Sequence, residues 1–165
     1  MITFQRDRWQ YDFRTAAVAI HRGHVLLHRA EPDNAWALPG GRVELGENAT
    51  DALLREMHEE TEMIVQVERL LWVVENFFTL SGRRHHEIGF YYLLALPAGE
   101  AKLNVAADFY GQEEGGPRLI FRWFPIDTLS AVRLYPSFLQ TGLGALPDSI
   151  SHIVQNDPEI QDHGQ

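Results

Sequence analysis

An acidic amphipathic stretch that follows a glycine-rich loop constrains this chain more than any other feature. Residues 41–63 read GRVELGENATDALLREMHEETEM. Apolar residues recur in it with the period of an α-helix, at Ala49, Leu53, Leu54 and Met57. The pattern predicts a helix over residues 48–63, with Asn48 or Thr50 as its N-cap.

Three carboxylates share one face of this predicted helix. Glu56, Glu59 and Glu60 are spaced i, i+3 and i+4, and like charges at that spacing repel by roughly 0.2–0.5 kcal/mol per pair. Two interpretations remain open, a solvated acidic face and a site for a hard divalent cation such as Mg²⁺. The side-chain-poor loop LPGG at residues 38–41 favours a ligand site, because backbone groups there can approach a ligand closely.

The same residues resemble the Nudix box, the signature of the Nudix hydrolase family with its MutT-like branch. The positions that fit the pattern are Gly41, Glu47, Arg55, Glu56, Met57, Glu59, Glu60 and Met63. One position departs from it, because Glu62 stands where the family has glycine. A glycine at a helix end commonly adopts the left-handed conformation, so we expect a local cost of roughly 1 kcal/mol with the metal site intact.

The resemblance implies an α/β fold, an α/β/α sandwich around a mixed β-sheet with a loop–helix–loop catalytic motif. We expect a domain over residues 1–155 and a polar tail over residues 156–165. The implied activity is metal-dependent cleavage of a pyrophosphate bond in a nucleoside diphosphate linked to another moiety. Candidate substrates are nucleoside triphosphates, nucleotide sugars, ADP-ribose and dinucleotides.

The resemblance also implies roles for individual residues. Mg²⁺, or Mn²⁺, would be held by Glu56, Glu59, Glu60 and the carbonyl of Gly40. Arg55 and Glu47 would hold the carboxylates and the loop in place. The general base would be Glu56 or Glu59, with Glu113 or Glu114 of the long segment 97–118 as the alternative; exposed loop charges are the competing interpretation of that last pair.

Substrate contacts are predicted at charged residues outside the helix. The candidates are Arg14, Arg42, Arg84, His86 and Glu87. A local group of basic residues suits phosphate in an acidic protein, and an ordinary polar hairpin turn is the competing interpretation of residues 83–86.

Composition narrows the function classes. Among 165 residues, 14 Lys and Arg oppose 23 Asp and Glu, for a net charge of −9, which argues against binding a nucleic acid polymer. No cysteine is present, which excludes thiolate zinc sites and the cysteine-dependent isoprenoid diphosphate isomerases of the Nudix fold.

We find neither a secretory signal nor an apolar run that would span a membrane, and expect a cytoplasmic protein acting on a small nucleotide-type molecule. A homodimer remains open, since dimers are frequent in the family.

A second function class is a Nudix domain that binds a nucleotide and senses it without turnover. Such domains usually lack some of the box glutamates, whereas the box carboxylates are complete here. Glu62 is the one feature that favours the sensing domain.

Alternating and continuous apolar runs outline the rest of the fold. Strand patterns cover residues 14–21, 24–30, 65–78, 86–96 and 119–124. Arg22-Gly23 predicts a hairpin between the first two strands, and residues 81–85 a turn between the next two. Helical patterns follow at residues 136–143 and 149–154.

Overall fold

The computed structural model describes residues 1–113 and 115–160. Among these residues, six strands form a mixed sheet: β1 (Thr3–Arg6), β2 (Trp9–Val18), β5 (Gly40–Arg42), β6 (Gln66–Leu80), β7 (Arg83–Ala95) and β10 (Ser151–Asn156). Four more form an antiparallel sheet: β3 (Ile20–His21), β4 (His24–Ala30), β8 (Phe109–Gln112) and β9 (Arg118–Pro125). The α-helices are α1 (Ala49–Thr61) and α2 (Leu139–Gly142), with 3₁₀ turns at Ala101–Leu103 and Ile126–Ala131. The predicted α/β class with a mixed sheet is confirmed.

The mixed sheet has the order β1-β2-β7-β6-β10, with β5 added on β2. Strands β2 and β7 run parallel, as do β6 and β10, and the remaining pairs are antiparallel. The sandwich contains few helices. Helix α1 lies on one side of it, and the short segments between residues 126 and 143 lie on the other.

The predicted first hairpin turns at Arg22-Gly23 as expected, but its first strand is much shorter than predicted. Only Ile20 and His21 pair with β4, while residues 14–18 belong to β2 in the other sheet. The chain changes sheets at Ala19, because the residues before it pair with β7 and β5. The N-terminal hairpin of β1 and β2 was not predicted. Only residues 14–18, at the end of β2, fall within a predicted strand.

Helix α1 is slightly shorter than predicted and is capped at both ends. The Asn48 side chain accepts a hydrogen bond from the backbone N–H of Asp51 at 2.9 Å, which selects Asn48 over Thr50 as N-cap. Glu62 closes the helix in the left-handed region at φ 59°, as its place in the box predicts.

Two hydrophobic cores hold the layers together. One packs α1 through Leu53 and Met57 against Leu26 and Phe121 of the antiparallel sheet. The other joins Trp72 of β6 to the C-terminal segments, where Leu129, Leu134 and Leu139 are buried. Helix α1 is therefore fixed against strands from both sheets, which makes it a rigid carrier for polar side chains on its other face.

The second half of the chain differs from the prediction in three places. Residues 151–156 form β10, parallel to β6, rather than a helix. The turn between β6 and β7 is confined to Ser81 and Gly82, and β6 is continuous with two register irregularities. The segment 97–118 contains a 3₁₀ turn and β8.

At the C-terminal end, Asn156 closes β10 and Ile160 pairs with Leu80. The predicted tail therefore begins within the sheet, and its residues 161–165 lie outside the described residues. Among the helices that are described, none is long and apolar enough to cross a membrane.

Candidate active site

A cleft of about 340 Å³ lies between the polar face of α1, strand β5 and the end of β8. It is lined by Met1, Arg14, Gly41, Arg42, Glu44, Arg55, Glu56, Glu59, Glu60, Gln112 and Glu113. The three helix carboxylates predicted from their spacing thus share one cleft.

Strand β5 approaches the helix closely because Gly41 has no side chain. A Cβ on Gly41 would overlap the carboxylate of Glu56, and a Cβ on Gly40 would overlap the carbonyl oxygen of Thr15. Gly40 pairs with Ala16 on β2 and is buried beside the cleft. The predicted glycine loop is therefore a short strand that brings backbone next to the carboxylates.

Arg55 organises the carboxylates around it. Its Nε and Nη2 donate to the two oxygens of Glu47 at 2.9 and 3.0 Å, and its Nη1 donates to Glu56 at 2.8 Å and Glu59 at 3.3 Å. These bonds raise the pKa of Arg55, first through Glu47, and lower the pKa of Glu47. Glu47 also accepts from the backbone N–H of Glu44 at 3.0 Å, which ties the loop to the helix.

Glu56 has the environment of a proton acceptor. Burial raises the pKa of its carboxyl group above the ordinary value, against the hydrogen bond from Arg55, and the charges of Glu60 and Glu59 raise it further. A carboxylate with a raised pKa is a stronger base near neutral pH. Glu59 is half-exposed at the mouth of the cleft.

Glu60 is buried without enough partners for its charge. Its side chain is 4% exposed, and Oε2 accepts no hydrogen bond from the described residues. Nδ1 of His28 lies 3.6 Å from this oxygen and likewise has no hydrogen-bond partner among the described residues. An all-oxygen donor set with an unsatisfied buried carboxylate fits a hard divalent cation. His28 comes from β4, and sequence spacing gave no signal for it.

Glu113 follows β8 and lines the cleft opposite α1. Its predicted neighbour Glu114 lies outside the described residues.

Arg14 connects the cleft to an adjoining pocket of about 180 Å³. It lines both, and it lies in the electrostatic field of Glu87, Asp12 and Glu56. Burial opposes its charge, but these carboxylates together with Tyr91 raise the pKa of Arg14 above its ordinary value. A partly buried, permanently charged guanidinium at this junction suits an anionic group that spans both cavities.

The other predicted substrate residues divide between the two faces of the mixed sheet. Glu87 lines the adjoining pocket, and Arg42 lines the cleft with its Nε 2.8 Å from Asp12 Oδ1. Arg84 and His86 alternate with Glu87 along β7 and so point to the opposite face. There Arg84 lies over the Trp9 ring, 5.5 Å from its centroid, and His86 stacks on Phe77 at 4.4 Å.

A partly buried polar cluster that includes Glu87 of the adjoining pocket was missed from the sequence. Asp12, His85 and Glu87 bring three ligand-type atoms within 4.8 Å of one another. Burial lowers the pKa of His85 below its ordinary value, against the charges of Glu87 and Asp12. The three residues come from two strands that are distant in sequence, which is why no local motif marks them.

Glu62 has acquired a cationic neighbour at its unusual position. Nζ of Lys102 lies 3.6 Å from its carboxylate, which is 85% exposed. Because the pair is at the surface, it offsets little of the left-handed strain.

A helix carrying carboxylates beside a glycine strand, on a mixed sheet backed by a second sheet, defines a Nudix-type α/β fold. The chain belongs to the NUDIX domain family, which its residues 12–140 match.

Two curated relatives show the extent of the similarity. A putative mutator protein MutT4 of Mycobacterium tuberculosis is 38% identical over 65 residues, which cover 39% of this chain and 26% of the relative. An ADP-ribose pyrophosphatase of Methanocaldococcus jannaschii is 40% identical over 67 residues, covering 41% of this chain and 38% of the relative. The matches thus span well under half the length of these relatives.

A solved structure extends the likeness to most of the chain. The crystal structure of a MutT protein from Bacillus halodurans superimposes with a TM-score of 0.59 at 16% identity, covering 89% of this chain and 90% of that one. At this identity the likeness shows the fold.

Proposed function

We propose that this protein is a divalent-metal-dependent Nudix hydrolase that cleaves the pyrophosphate bond of a nucleoside diphosphate linked to another moiety. Nucleoside triphosphates, nucleotide sugars, ADP-ribose and dinucleotides belong to this class. The observation that carries the proposal is the cleft that Glu56, Glu59 and Glu60 share, in which Arg55 contacts the first two.

The carboxylates supply the cation site. Glu56, Glu59 and Glu60, with the carbonyl of Gly40, would hold Mg²⁺ or Mn²⁺, and the unsatisfied buried oxygen of Glu60 supports this assignment. When bound, the cation supplies charge neutralisation of the pyrophosphate and a more acidic water.

Arg55 and Glu47 act as positioning residues. Their two-point hydrogen bond fixes the guanidinium, so that its remaining N–H groups hold the Glu56 and Glu59 side chains facing the cleft. The helix backbone is in turn fixed by the core packing of Leu53 and Met57.

Glu56 accepts the proton of the attacking water in this proposal. Burial raises the pKa of its carboxyl group above the ordinary value, which supports this role, while Glu59 and Glu113 are the alternatives on opposite walls of the cleft. Arg14 binds the phosphate at the junction of the cleft and the adjoining pocket. The nucleoside half of the substrate would lie in the adjoining pocket.

The names of the relatives support the reaction class without selecting a substrate. An ADP-ribose pyrophosphatase and an RNA pyrophosphohydrolase both act on phosphoanhydride bonds, and both are similar to this chain.

The test is hydrolysis of a panel of nucleoside triphosphates, nucleotide sugars, ADP-ribose and dinucleotides, with Mg²⁺ and with EDTA. We expect Mg²⁺-dependent cleavage of one class and its loss in Glu59→Gln. Glu68→Gln, an exposed glutamate outside the cleft, is the matched control and should retain activity. Tight nucleotide binding without cleavage would contradict the proposal and identify the sensing domain instead.

A further inference from the structure

The pocket that adjoins the cleft combines aromatic walls with a polar edge. Phe78, Tyr91 and Tyr135 line it, together with Leu38 and Pro136. Flat aromatic side chains in a small cavity favour a planar ring, because bases stack on them irrespective of sequence. Arg14 leads from this pocket into the cleft, so a ligand can place a ring here and its phosphates there.

The polar edge is formed by Asn76 of β6 and Glu87 of β7, which are direct cross-strand partners. Asn76 Nδ2 donates to Glu87 Oε2 at 3.4 Å. This orientation turns the amide oxygen of Asn76 away from the carboxylate, and that oxygen is buried without a hydrogen-bond partner among the described residues. An ionised carboxylate only accepts hydrogen bonds, so the other Glu87 oxygen is also an acceptor.

Two neighbouring acceptors require two neighbouring donors. Guanine presents N1–H and N2–H₂ side by side on its Watson–Crick edge. Adenine presents a ring nitrogen with a lone pair beside its amino group, and this lone pair would face a carboxylate unfavourably. Uracil and thymine offer one ring N–H, and cytosine one amino group beside a lone pair.

We infer that the Asn76–Glu87 edge reads guanine, so that the protein prefers guanine nucleotides. This inference rests on the proposed function, because it assumes that the ring in the pocket belongs to the nucleotide whose phosphates enter the cleft. Glu87 accepts from one of the two neighbouring guanine donors, and the amide oxygen of Asn76, which lacks a hydrogen-bond partner among the described residues, accepts from the other.

The alternative occupant of such an edge is the ribose diol, whose hydroxyl groups also donate to carboxylates. The aromatic walls favour the base over the sugar. A ligand series that changes one group at a time separates the two, because inosine lacks only the N2 amino group and a deoxyguanosine lacks only the 2′-hydroxyl.

The experiment measures binding of GDP, IDP, ADP and dGDP by calorimetry, with Ca²⁺ replacing Mg²⁺. We expect IDP to bind about tenfold more weakly than GDP, since a buried acceptor then loses its donor, and ADP more weakly still. The dGDP affinity should stay within about threefold of GDP, because the edge is assigned to the base and the 2′-hydroxyl then donates no buried hydrogen bond. Equal affinities for GDP and IDP, or a loss confined to dGDP, would overturn the inference.

Variants add an independent comparison. Glu87→Gln replaces one acceptor oxygen of the carboxylate by an NH₂ group, which only donates. The ratio of the GDP affinity to the IDP affinity should therefore fall below about threefold. Glu75→Gln is the matched control, since Glu75 lies on the other face of β6, where it contacts His152 at 2.8 Å. If Glu87→Gln fails to fold, the wild-type ligand series decides alone.

The outcomes distinguish this inference from the proposed function. Mg²⁺-dependent hydrolysis at equal rates for GTP, ITP and ATP leaves the hydrolase in place and overturns guanine selectivity. Guanine-selective binding without hydrolysis supports the Asn76–Glu87 edge and contradicts the hydrolase.

Discussion

Arg55 donates two parallel hydrogen bonds to Glu47, from Nε to Oε1 at 2.9 Å and from Nη2 to Oε2 at 3.0 Å. The two residues join the loop before the helix to the helix itself. This planar two-point contact fixes the orientation of the guanidinium group. The hydrogen bond from Arg55 to Glu56 depends on that orientation.

Arg55→Lys should therefore lower kcat/KM despite keeping the charge. An ammonium group cannot reproduce the fork that contacts Glu47 and Glu56 together, and we expect a loss on the order of tenfold to a hundredfold. Steady-state kinetics at saturating Mg²⁺ measures it. Arg29→Lys, outside the cleft, is the control, and equal activity of Arg55→Lys and wild type would contradict the positioning role.

Gly41→Ala should abolish most activity while leaving a folded protein. The new methyl group would overlap the Glu56 carboxylate, a flexible side chain that can be displaced from the cleft. Gly144→Ala offers a matched control, because its methyl group would meet only the Thr141 carbonyl oxygen at 3.4 Å. Circular dichroism checks folding and the hydrolysis assay checks activity; full activity of Gly41→Ala would mean that Glu56 has another working position.

Glu62→Gly should stabilise the protein by about 1 kcal/mol, because glycine adopts the left-handed conformation at φ 59° without strain. The surface pair with Lys102 that is lost contributes little. Chemical denaturation measures the free energy of unfolding. Lys102→Ala tests the pair separately, and a destabilised Glu62→Gly with an equally destabilised Lys102→Ala would show that the ion pair dominates.

The pair of Asp108 and Arg122 should make a small part of the stability dependent on pH. Two hydrogen bonds from Arg122, at 2.8 and 2.5 Å, lower the pKa of Asp108 in the folded protein. A group with a depressed folded pKa stabilises above its unfolded pKa and loses that contribution as the pH falls through the folded pKa. Because Asp108 and Arg122 are partly exposed, we expect at most about 1 kcal/mol.

The measurement is denaturation of wild type and Asp108→Asn from neutral pH to below about pH 4. The difference between the two proteins should shrink as the pH falls. A difference that stays constant over this range would show that Asp108 stabilises the fold by something other than its charge.

The box was predictable because its chemistry is local. The spacing of Glu56, Glu59 and Glu60 fixes a common helix face, and the sequence limits the N-cap to Asn48 or Thr50 and places Glu62 at the other end. The other residues around the box carboxylates come from strands. His28 and Asp12 reach their positions only because their strands pair with strands that are distant in sequence.

The errors in the predicted fold have the same origin. Residues 149–154 carry an apolar spacing that suits a helix, yet residues 151–156 pair in parallel with β6, a contact that no local pattern encodes. Likewise the alternation through residues 14–21 gave no sign that the chain changes sheets at Ala19, since both halves favour strands equally.

The most direct test of the proposed cation site is the Mg²⁺ dependence of pyrophosphate hydrolysis in wild type, Glu60→Gln and the control Glu68→Gln. We predict that Glu60→Gln keeps its fold, needs far more Mg²⁺ and loses kcat/KM by on the order of a hundredfold. Glu68→Gln should match wild type. Hydrolysis by wild type in EDTA, or an unchanged Mg²⁺ requirement in Glu60→Gln, would contradict the account.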